Sequence, residues 1–192
     1  MDIKNLSSNK GNILEGVCII KPTVYKDNRG FFYESWNQTL FNKAIGEEIK
    51  FLQDNHSSSN IGVIRGLHYQ IGPKPQGKLV RCVSGSVFDV AVDIRKSSPT
   101  FGEWTSILLD NINKIMIWIP AGFAHGFLAI EENSEVLYKA SELWSKELDR
   151  SIRWDDKDIN IDWPLKDINC FEPRLSEKDL KAPFLKNAEV FF

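Results

Sequence analysis

The chain has 192 residues, 42% of them hydrophobic, and its 24 basic and 26 acidic residues give a formal net charge of −2. This length predicts a single domain spanning residues 1–192, with a core that needs no crosslinks. The balanced charge argues against a nucleic-acid partner, which requires a concentrated basic face. The first residues lack the apolar core of a signal peptide, and the longest uncharged run, residues 115–130, is too short and too rich in proline and glycine for a membrane span. We expect a soluble protein with no membrane partner.

The predicted elements are mainly short strands. An early helix is predicted where Leu40, Phe41, Ala44 and Ile45 share a helical face that ends at Gly46. Residues 87–94, 115–119 and 136–139 then alternate with a period of two, and turn-forming residues separate such runs about every ten residues. Near the C terminus, Ser176 predicts the N-cap of a second helix. The pattern indicates a mainly antiparallel β-sandwich or barrel with a few short helices.

Cysteine usage predicts the redox state of the thiols. The three cysteines, Cys18, Cys82 and Cys170, are odd in number and have no metal-binding or redox spacing. This favours reduced thiols and a cytoplasmic location. Cys18 and Cys82 lie in apolar strand-like runs and are predicted to be small core residues.

The stretch Ile64–Gln70 places His68 near Arg65, with Lys78 and Arg81 close behind in sequence. Histidine has the side-chain pKa nearest neutrality, while arginine and lysine supply fixed positive charge for an anion. This combination indicates proton abstraction through an enolate on an anionic substrate. The alternative is a half-buried strand whose polar groups are satisfied, and these residues alone leave both interpretations open.

A second motif, Pro120–Phe127, makes a tight turn from which His125 enters the next strand. This P-x-G-x-x-H arrangement resembles the second motif of cupin barrels, in which the histidine often binds a metal. The first cupin motif usually reads H-x-H, but here the matching residues are His68-Tyr69-Gln70, without the second imidazole. Transition-metal sites generally need three or four convergent ligands. The sequence therefore predicts a barrel with no metal.

Taken together, the motifs resemble one cupin-type family, that of dTDP-4-dehydrorhamnose 3,5-epimerase, over residues 17–182. The resemblance implies a cupin-like jelly-roll barrel that uses neither metal nor cofactor. It rests on motifs that follow one another in order: Asp27–Phe32, Gln53–Ser57, Arg65–Gln70, Gln76–Arg81, Asp89–Arg95, Ser98–Gly102, Pro120–Phe127, Ile161–Pro164 and Leu175–Asp179.

The resemblance also implies a reaction and its catalytic residues. The substrate would be dTDP-4-dehydro-6-deoxy-D-glucose, whose 4-ketone acidifies the C–H bonds at C3 and C5, and the product would be dTDP-4-dehydro-L-rhamnose. His68 would be the base, oriented by Asp179, and Tyr138 would return a proton on the opposite face. Lys78, with Arg65 nearby, would stabilise the enolate oxygen.

Binding residues are implied in the same way. Arg29 and Glu34 match residues that reach the partner subunit's site through an exchanged N-terminal strand, which implies a homodimer. Trp144 stands where the family commonly has tyrosine near the thymine, Asp149 where it usually has glutamate, and Lys146 where it usually has proline. The nucleotide or phosphate contacts would be Gln53, Asn55, His125 and Lys178.

Each assignment has a plainer alternative. Asp179 follows Ser176 by three residues and would fit a capping box, and Tyr138 shares a face with Val136, as a core aromatic would. His125 would fit a structural role after its turn. At the level of function, the alternatives are a 3-epimerase, a 3,4-ketoisomerase, a non-catalytic sugar-nucleotide binder and a metal-dependent cupin dioxygenase.

Overall fold

A computed structural model describes residues 2–192, and its strands dominate as the sequence predicts. The strands are β1 (Asp2–Ser7), β2 (Ile13–Lys21), β3 (Tyr25–Asp27), β4 (Gly30–Phe32), β5 (Gln53–Ser59), β6 (Ile64–Gln70), β7 (Lys78–Ser84), β8 (Ser86–Asp93), β9 (Trp104–Asp110), β10 (Met116–Ile119), β11 (Phe123–Ala129), β12 (Ser134–Ala140) and β13 (Asp149–Ser151). Two α-helices, α1 (Gln38–Ile45) and α2 (Glu177–Leu180), and a 3-10 helix (Leu185–Asn187) accompany them.

The strands form two large antiparallel sheets and a separate hairpin. The six-stranded sheet has the order β1-β2-β10-β7-β12-β5, and the five-stranded sheet has the order β13-β6-β11-β8-β9. Strands β3 and β4 pair only with each other. One apolar cluster draws residues from both large sheets, among them Val80, Val136, Ala91 and Phe127, so the inner faces of the sheets enclose a common core.

Strand β8 shows how sequence alternation sets the layers. Its fully apolar face, which includes Val90 and Val92, packs outward against the C-terminal part of the chain. Its other face turns Val87 and Ala91 into the core between the sheets. Because side chains alternate across a strand, the acidic residue at position 89 lies on this inner face as well.

Helix α1 confirms the predicted helix, with Asn37 as N-cap and Gly46 in the left-handed conformation at its end. Phe41 is fully buried and packs against Trp118 on the outside of the six-stranded sheet. Of the four residues predicted to share a helical face, Phe41 is buried and Ile45 is half-buried, but Leu40 (42% exposed) and Ala44 are exposed. Successive helical residues are about 100° apart, so a short helix that docks through Phe41 leaves Leu40 facing solvent.

Residues 152–192, which we call the C-terminal strap, cross the outer face of the five-stranded sheet. Ile159, Trp163 and Leu185 of the strap are buried in the cluster that covers this face. The buried carboxylate of Asp156 accepts hydrogen bonds from the backbone N–H groups of Leu185 (2.6 Å) and Ile159 (3.0 Å). These contacts fix an otherwise irregular chain against the barrel.

The structure confirms the prediction that Cys18 and Cys82 are core residues. Cys18 and Cys82 are buried in apolar clusters, and all three cysteines are free. Burial raises the pKa of both the Cys18 and Cys82 thiols to about 11, so both are protonated at neutral pH. Across residues 2–192, no helix has the length and apolar character needed to cross a membrane.

Candidate active site

A cavity of about 240 Å³ opens between the two large sheets and collects most of the predicted site residues. Those residues are Arg65, His68, Lys78, His125, Tyr138, Trp144, Asp149 and Lys178. Four further residues line the cavity without having been predicted: Ser57, Tyr69, Gln76 and Phe127. The strands that line it bring together residues scattered over more than half of the chain.

His68 and Asp179 form the central contact of this site. His68 lies on β6, which pairs with β11 on one side and β13 on the other. Its Nε2 is 2.5 Å from Oδ1 of Asp179, although 111 positions separate the two residues in the chain. The backbone N–H of Asp179 is also capped by the Ser176 hydroxyl. The capping interpretation is therefore correct for the backbone, while the carboxylate is free to pair with the histidine.

The protonation states of this pair suit a general base. Burial lowers the pKa of His68 below its ordinary value, so the ring is neutral at neutral pH. Burial acts to raise the pKa of Asp179, but the interactions with His68, the Ser176 side chain and the Gly66 backbone together outweigh it and leave that pKa below its usual range. An ionised carboxylate only accepts, so Nε2 of His68 carries the hydrogen and Nδ1 keeps a lone pair. That lone pair is the group that abstracts a proton in such dyads.

Tyr138 reaches the cavity from the other sheet. It lies on β12, between Asn55 on β5 and Val80 on β7. Burial raises the pKa of its hydroxyl, so the phenol stays protonated through neutral pH. The ring packs beside the inner core and also lines the cavity, so it combines the core role with a place at the site.

Lys78 is a buried cation next to the base. Its Nζ donates a 3.0 Å hydrogen bond to the backbone carbonyl of His68. Burial lowers the pKa of Lys78 to about 8, which still leaves most of it charged at neutral pH. Arg65, by contrast, is exposed at the rim, where its guanidinium donates to the Ser59 hydroxyl and the Ser58 carbonyl.

His125 lies directly opposite His68 in the pairing of β11 with β6. Its Nε2 is 2.8 Å from Oδ2 of Asp89, a fully buried residue of β8. Sequence reasoning did not single out Asp89 as a site residue. The available signal was a pair of acidic side chains, Asp89 and Asp93, that alternate with the fully apolar face of β8.

The mouth of the cavity carries an ion pair and an aromatic ring. Nζ of Lys178 is 2.5 Å from Oδ2 of Asp149. Trp144, which lines the same cavity, is 57% exposed. The backbone N–H of Trp144 donates to the side-chain oxygen of Gln53. Gln53 therefore supports the segment that presents the ring, and its amide also donates to Asn55.

Five predicted residues do not line this cavity within one chain, and one of them, Asp179, contacts the site through His68. Gln53 and Asn55 lie beside it on β5. Arg29 belongs to the turn between β3 and β4, where its largely exposed guanidinium pairs with Asp27. Glu34 is also exposed and accepts a hydrogen bond from Asn37. His56, to which no catalytic role was assigned, lies at the surface with its Nε2 3.0 Å from a carboxylate oxygen of Glu135.

The donor set does not resemble a metal centre. No group of three or more histidine, cysteine, aspartate or glutamate side chains within residues 2–192 is arranged to hold a metal ion. Gln70 stands where cupins have a second histidine ligand. Its side-chain N–H groups donate to the backbone carbonyls of Lys74 and Leu143, and its side-chain oxygen accepts from the backbone N–H of Ser145. This side chain thus anchors the loop before Trp144. Whether the protein carries a metal stays a prediction for experiment.

Comparison with known proteins identifies relatives across nearly the whole chain. The family model for dTDP-4-dehydrorhamnose 3,5-epimerase matches residues 12–187. The dTDP-4-dehydrorhamnose 3,5-epimerase of Shigella flexneri is 53% identical over 175 residues, covering 91% of this chain and 94% of that protein.

Solved structures agree in fold. The epimerase of Legionella pneumophila, in complex with dTDP-4-keto-L-rhamnose, superposes with a TM-score of 0.88 at 41% identity, covering 97% of this chain and 94% of that one. A 3'-monoepimerase of Streptomyces bikiniensis, in complex with dTDP-quinovose, superposes with a TM-score of 0.82 at 33% identity. The match covers 90% of this chain and 85% of that one. These relatives support the cupin-like jelly-roll fold that the sequence motifs predict.

Proposed function

The chain belongs to the dTDP-4-dehydrorhamnose 3,5-epimerase family, and from this premise we propose how its cavity carries out the reaction. The enzyme is an isomerase that inverts C3 and C5 of dTDP-4-dehydro-6-deoxy-D-glucose to give dTDP-4-dehydro-L-rhamnose. One observation carries the mechanism: a neutral His68, oriented by Asp179, shares a cavity with the protonated phenol of Tyr138, which comes from the opposite sheet.

In the first step, Nδ1 of His68 removes the proton from C3. The electrons of the broken C–H bond form the C3–C4 double bond, and the ketone oxygen becomes an enolate oxygen. Lys78, held beside the base through its contact with the His68 carbonyl, stabilises that negative charge as it develops. Asp179 stabilises the imidazolium that results.

Inversion needs a second group on the other face of the sugar. A single base would return the proton to the face from which it came. Tyr138 donates its hydroxyl proton to C3 from the opposite side, the ketone re-forms, and the phenolate remains. Exchange with water then removes the proton from His68 and restores the one on Tyr138, so that the same pair acts at C5.

The remaining cavity residues bind the nucleotide. Arg65, His125 and Lys178 are polar or cationic groups suited to a diphosphate, which prefers charge-assisted hydrogen bonds. Trp144 offers an exposed ring on which thymine can stack. Asp149 holds Lys178 in the free enzyme, so the lysine must exchange this partner for phosphate on binding. Gln53 and Asn55 complete the site from β5.

A homodimer would complete the site with the β3–β4 hairpin. Tyr25, Phe31 and Phe32 of this hairpin are 64%, 56% and 72% exposed, an apolar surface that favours a partner. Arg29 and Glu34 belong to the same segment and do not reach the cavity of their own chain. We propose that they enter the partner's cavity, and that the dimer works in the cytoplasm, where its free thiols stay reduced.

An assay in D₂O tests the mechanism. We expect the wild-type enzyme to incorporate deuterium at both C3 and C5 of the keto sugar nucleotide, followed separately by NMR. In Tyr138→Phe the base still forms the enolate, so exchange should persist at one or both carbons while inversion collapses, most of all at C5. Equal loss of exchange and inversion would instead assign Tyr138 to binding, and full inversion would make it a core aromatic.

The same assay separates the nearest alternative. A 3'-monoepimerase shares this fold, so the fold alone does not distinguish one inverted centre from two. Exchange and inversion confined to C3 would identify a 3-epimerase and contradict the proposed double inversion.

Mixed dimers test the shared site. In a heterodimer of Arg29→Ala and His68→Ala chains, one cavity has both defects and the other has neither. Verified heterodimers should therefore recover about half of the wild-type activity, while either homodimer stays far lower. Absence of recovery would show that Arg29 does not act in the partner's site.

A further inference from the structure

Asp89 and His125 form a second histidine–aspartate pair, and the mechanism above gives Asp89 no task. The two side chains are 0% and 7% exposed, and the contact joins Oδ2 of Asp89 to Nε2 of His125 at 2.8 Å. The other carboxylate oxygen, Oδ1, is buried and has no hydrogen-bond partner within residues 2–192. No lysine or arginine of the described chain lies within 4.0 Å of Asp89, so His125 is its one hydrogen-bonding partner, and the charge of Lys78 acts on it from farther away.

A fully buried carboxylate with one partner is costly if it keeps its charge against a neutral ring. Removing an ionised group from water is strongly unfavourable unless it is paired and hydrogen-bonded. The cost falls when the pair holds one more proton, because the pair is then neutral overall. The unpartnered Oδ1 favours this state, since a shared proton reduces the charge that the bare oxygen carries.

The number of protons on the Asp89–His125 pair determines whether Nδ1 of His125 is a hydrogen-bond donor or an acceptor. If the additional proton sits on the imidazole, both ring nitrogens carry hydrogen. If it sits on Asp89, the carboxylic acid donates to Nε2, and the hydrogen of the neutral ring is on Nδ1. In either case Nδ1 is a donor. Only the pair that lacks the additional proton, with Nε2–H facing an ionised Asp89, leaves Nδ1 as a bare acceptor.

The surroundings of His125 decide between a donor and an acceptor. The ring lies on a cavity wall, and the other titratable or charged groups of that cavity come from five strands and the strap: Arg65, His68 and Tyr69 of β6, Lys78 of β7, Asp89 of β8, Tyr138 of β12, Asp149 of β13 and Lys178 of the strap. Lys78 opposes a further positive charge on the ring and Asp89 favours it. A bound diphosphate sugar adds negative charge, which favours the donor.

We propose that Asp89 is a positioning residue that keeps a proton on Nδ1 of His125, so that the ring donates a hydrogen bond to an anionic oxygen of the substrate. This rests on the proposed function, because it assumes an anionic sugar nucleotide in the cavity. The two histidine–aspartate pairs then leave their rings in different protonation states at Nδ1. Asp179 holds His68 with a free lone pair, and Asp89 holds His125 with a proton directed at the ligand.

Nitrogen NMR reads the ring directly. The chain has only three histidines, so a sample labelled with ¹⁵N-histidine has few signals, and His56→Ala and His68→Ala variants assign them. In the wild-type protein with dTDP bound, we expect Nδ1 of His125 to carry hydrogen at neutral pH. A bare Nδ1 with hydrogen on Nε2, with dTDP bound, would overturn the proposal. This measurement needs no catalysis and no variant at position 89.

Kinetics test whether Asp89 acts through this proton. Asp89→Asn keeps the shape but removes the group that can hold the additional proton, so the donor is no longer enforced. Loss of a hydrogen bond to a charged group corresponds to a rise in KM of about tenfold or more, with a smaller change in kcat. An unchanged KM, together with an unchanged nitrogen spectrum, would show that Asp89 only fills space.

Asp93→Asn is the matched control. Asp93 is equally buried on the same strand, but its carboxylate bonds to Arg95, Ser98 and Thr100 rather than to a cavity residue. We expect it to lower stability without changing the state of His125. The D₂O exchange of the wild-type enzyme is measured separately, so its absence would count against the proposed function and leave the spectroscopic result standing.

Discussion

The two histidine–aspartate pairs of the cavity are built from different parts of the chain. His125 and Asp89 lie on adjacent, extensively paired strands of one sheet, and both are almost completely buried. His68 lies on the same sheet, but its partner Asp179 comes from the single-turn helix α2 of the strap, and the histidine side chain is 33% exposed. The barrel alone therefore assembles one pair, while the other also needs the strap in place.

This difference makes the catalytic pair more dependent on the strap than the second pair is. Elements fixed by strand pairing open only when the sheet unfolds, whereas a short helix in an irregular segment opens at lower cost. The strap is held by specific hydrogen bonds. Ser176 caps α2, the Asp156 carboxylate accepts from the Leu185 N–H, and the Arg153 guanidinium donates to the Leu180 carbonyl. We expect perturbations of the strap to lower proton abstraction through Asp179 and, to a smaller extent, ligand binding through Lys178, because both residues lie on α2.

The largest effect should follow removal of the base. His68→Ala is expected to lower both deuterium exchange and epimerisation by about 10²–10⁴-fold, because the mechanism leaves the free lone pair on His68 and has His125 donate a hydrogen bond to the ligand. Binding of dTDP should remain nearly intact, since His125 and the mouth of the cavity are unchanged. His56→Ala, which removes a surface histidine outside the cavity, is the control. Undiminished C3 exchange in folded His68→Ala protein would mean that another residue is the base.

Loss of the strap's carboxylate should come next. Asp179→Asn keeps the side-chain volume but no longer requires Nε2–H on His68, so the ring can adopt the wrong tautomer. In serine proteases the corresponding change lowers kcat by about 10⁴-fold, and we expect at least about 10²-fold here. Glu177→Gln, on an exposed side chain of the same helix, is the matched control. A kcat close to wild type for Asp179→Asn would remove Asp179 from the mechanism.

The sequence predicts these residues more readily than it predicts their contacts. Period-two alternation identifies β8 and β10, and Gly46 ends α1 where expected. The family resemblance places His68, Lys78 and Tyr138 in one site. The contact between His68 and Asp179 joins residues 111 positions apart, which no local pattern encodes. Asp89 escaped notice because a strand pattern alone does not say whether its polar face meets solvent or the inside of a barrel.

A smaller effect is expected from loosening the strap away from the site. Asp156→Ala removes the buried acceptor for the Leu185 and Ile159 N–H groups and leaves buried donors unsatisfied. This should cost about 2–3 kcal/mol, or a drop of about 4–12 °C in Tm for a domain of this size. Asp158→Ala, on an exposed neighbour, should change Tm little. If Asp156→Ala matches Asp158→Ala in Tm, the strap is held by its apolar residues instead.

The pH profile should show how the barrel tunes its own groups. Burial lowers the pKa of His68, so kcat/KM should rise with pH through a value below the ordinary histidine pKa of about 6.5. Burial also lowers the pKa of Lys78 to about 8, so the activity should fall as this cation is lost near that pH. Tyr138 does not supply the alkaline limb, because burial raises its pKa.

A kcat/KM profile from about pH 5 to pH 10 measures both limbs. Lys78→Arg keeps a charge that does not titrate in this range, so its alkaline limb should move upward. If the limb stays near pH 8 in that variant, it belongs to another group.

Chelation should have the smallest effect, and it tests both pairs together. In a cupin metal centre the cavity histidines would converge on one ion. Here Nε2 of each histidine is hydrogen-bonded to a carboxylate instead, His68 to Asp179 and His125 to Asp89. A metal drawing on the remaining nitrogens would take the lone pair that His68 needs as a base and displace the proton that we place on His125. We therefore expect full activity after exhaustive treatment with a chelator, and no stoichiometric zinc, iron or nickel by elemental analysis. One tightly bound transition metal per chain, with activity lost on its removal and restored on its return, would contradict the roles of both histidines at once.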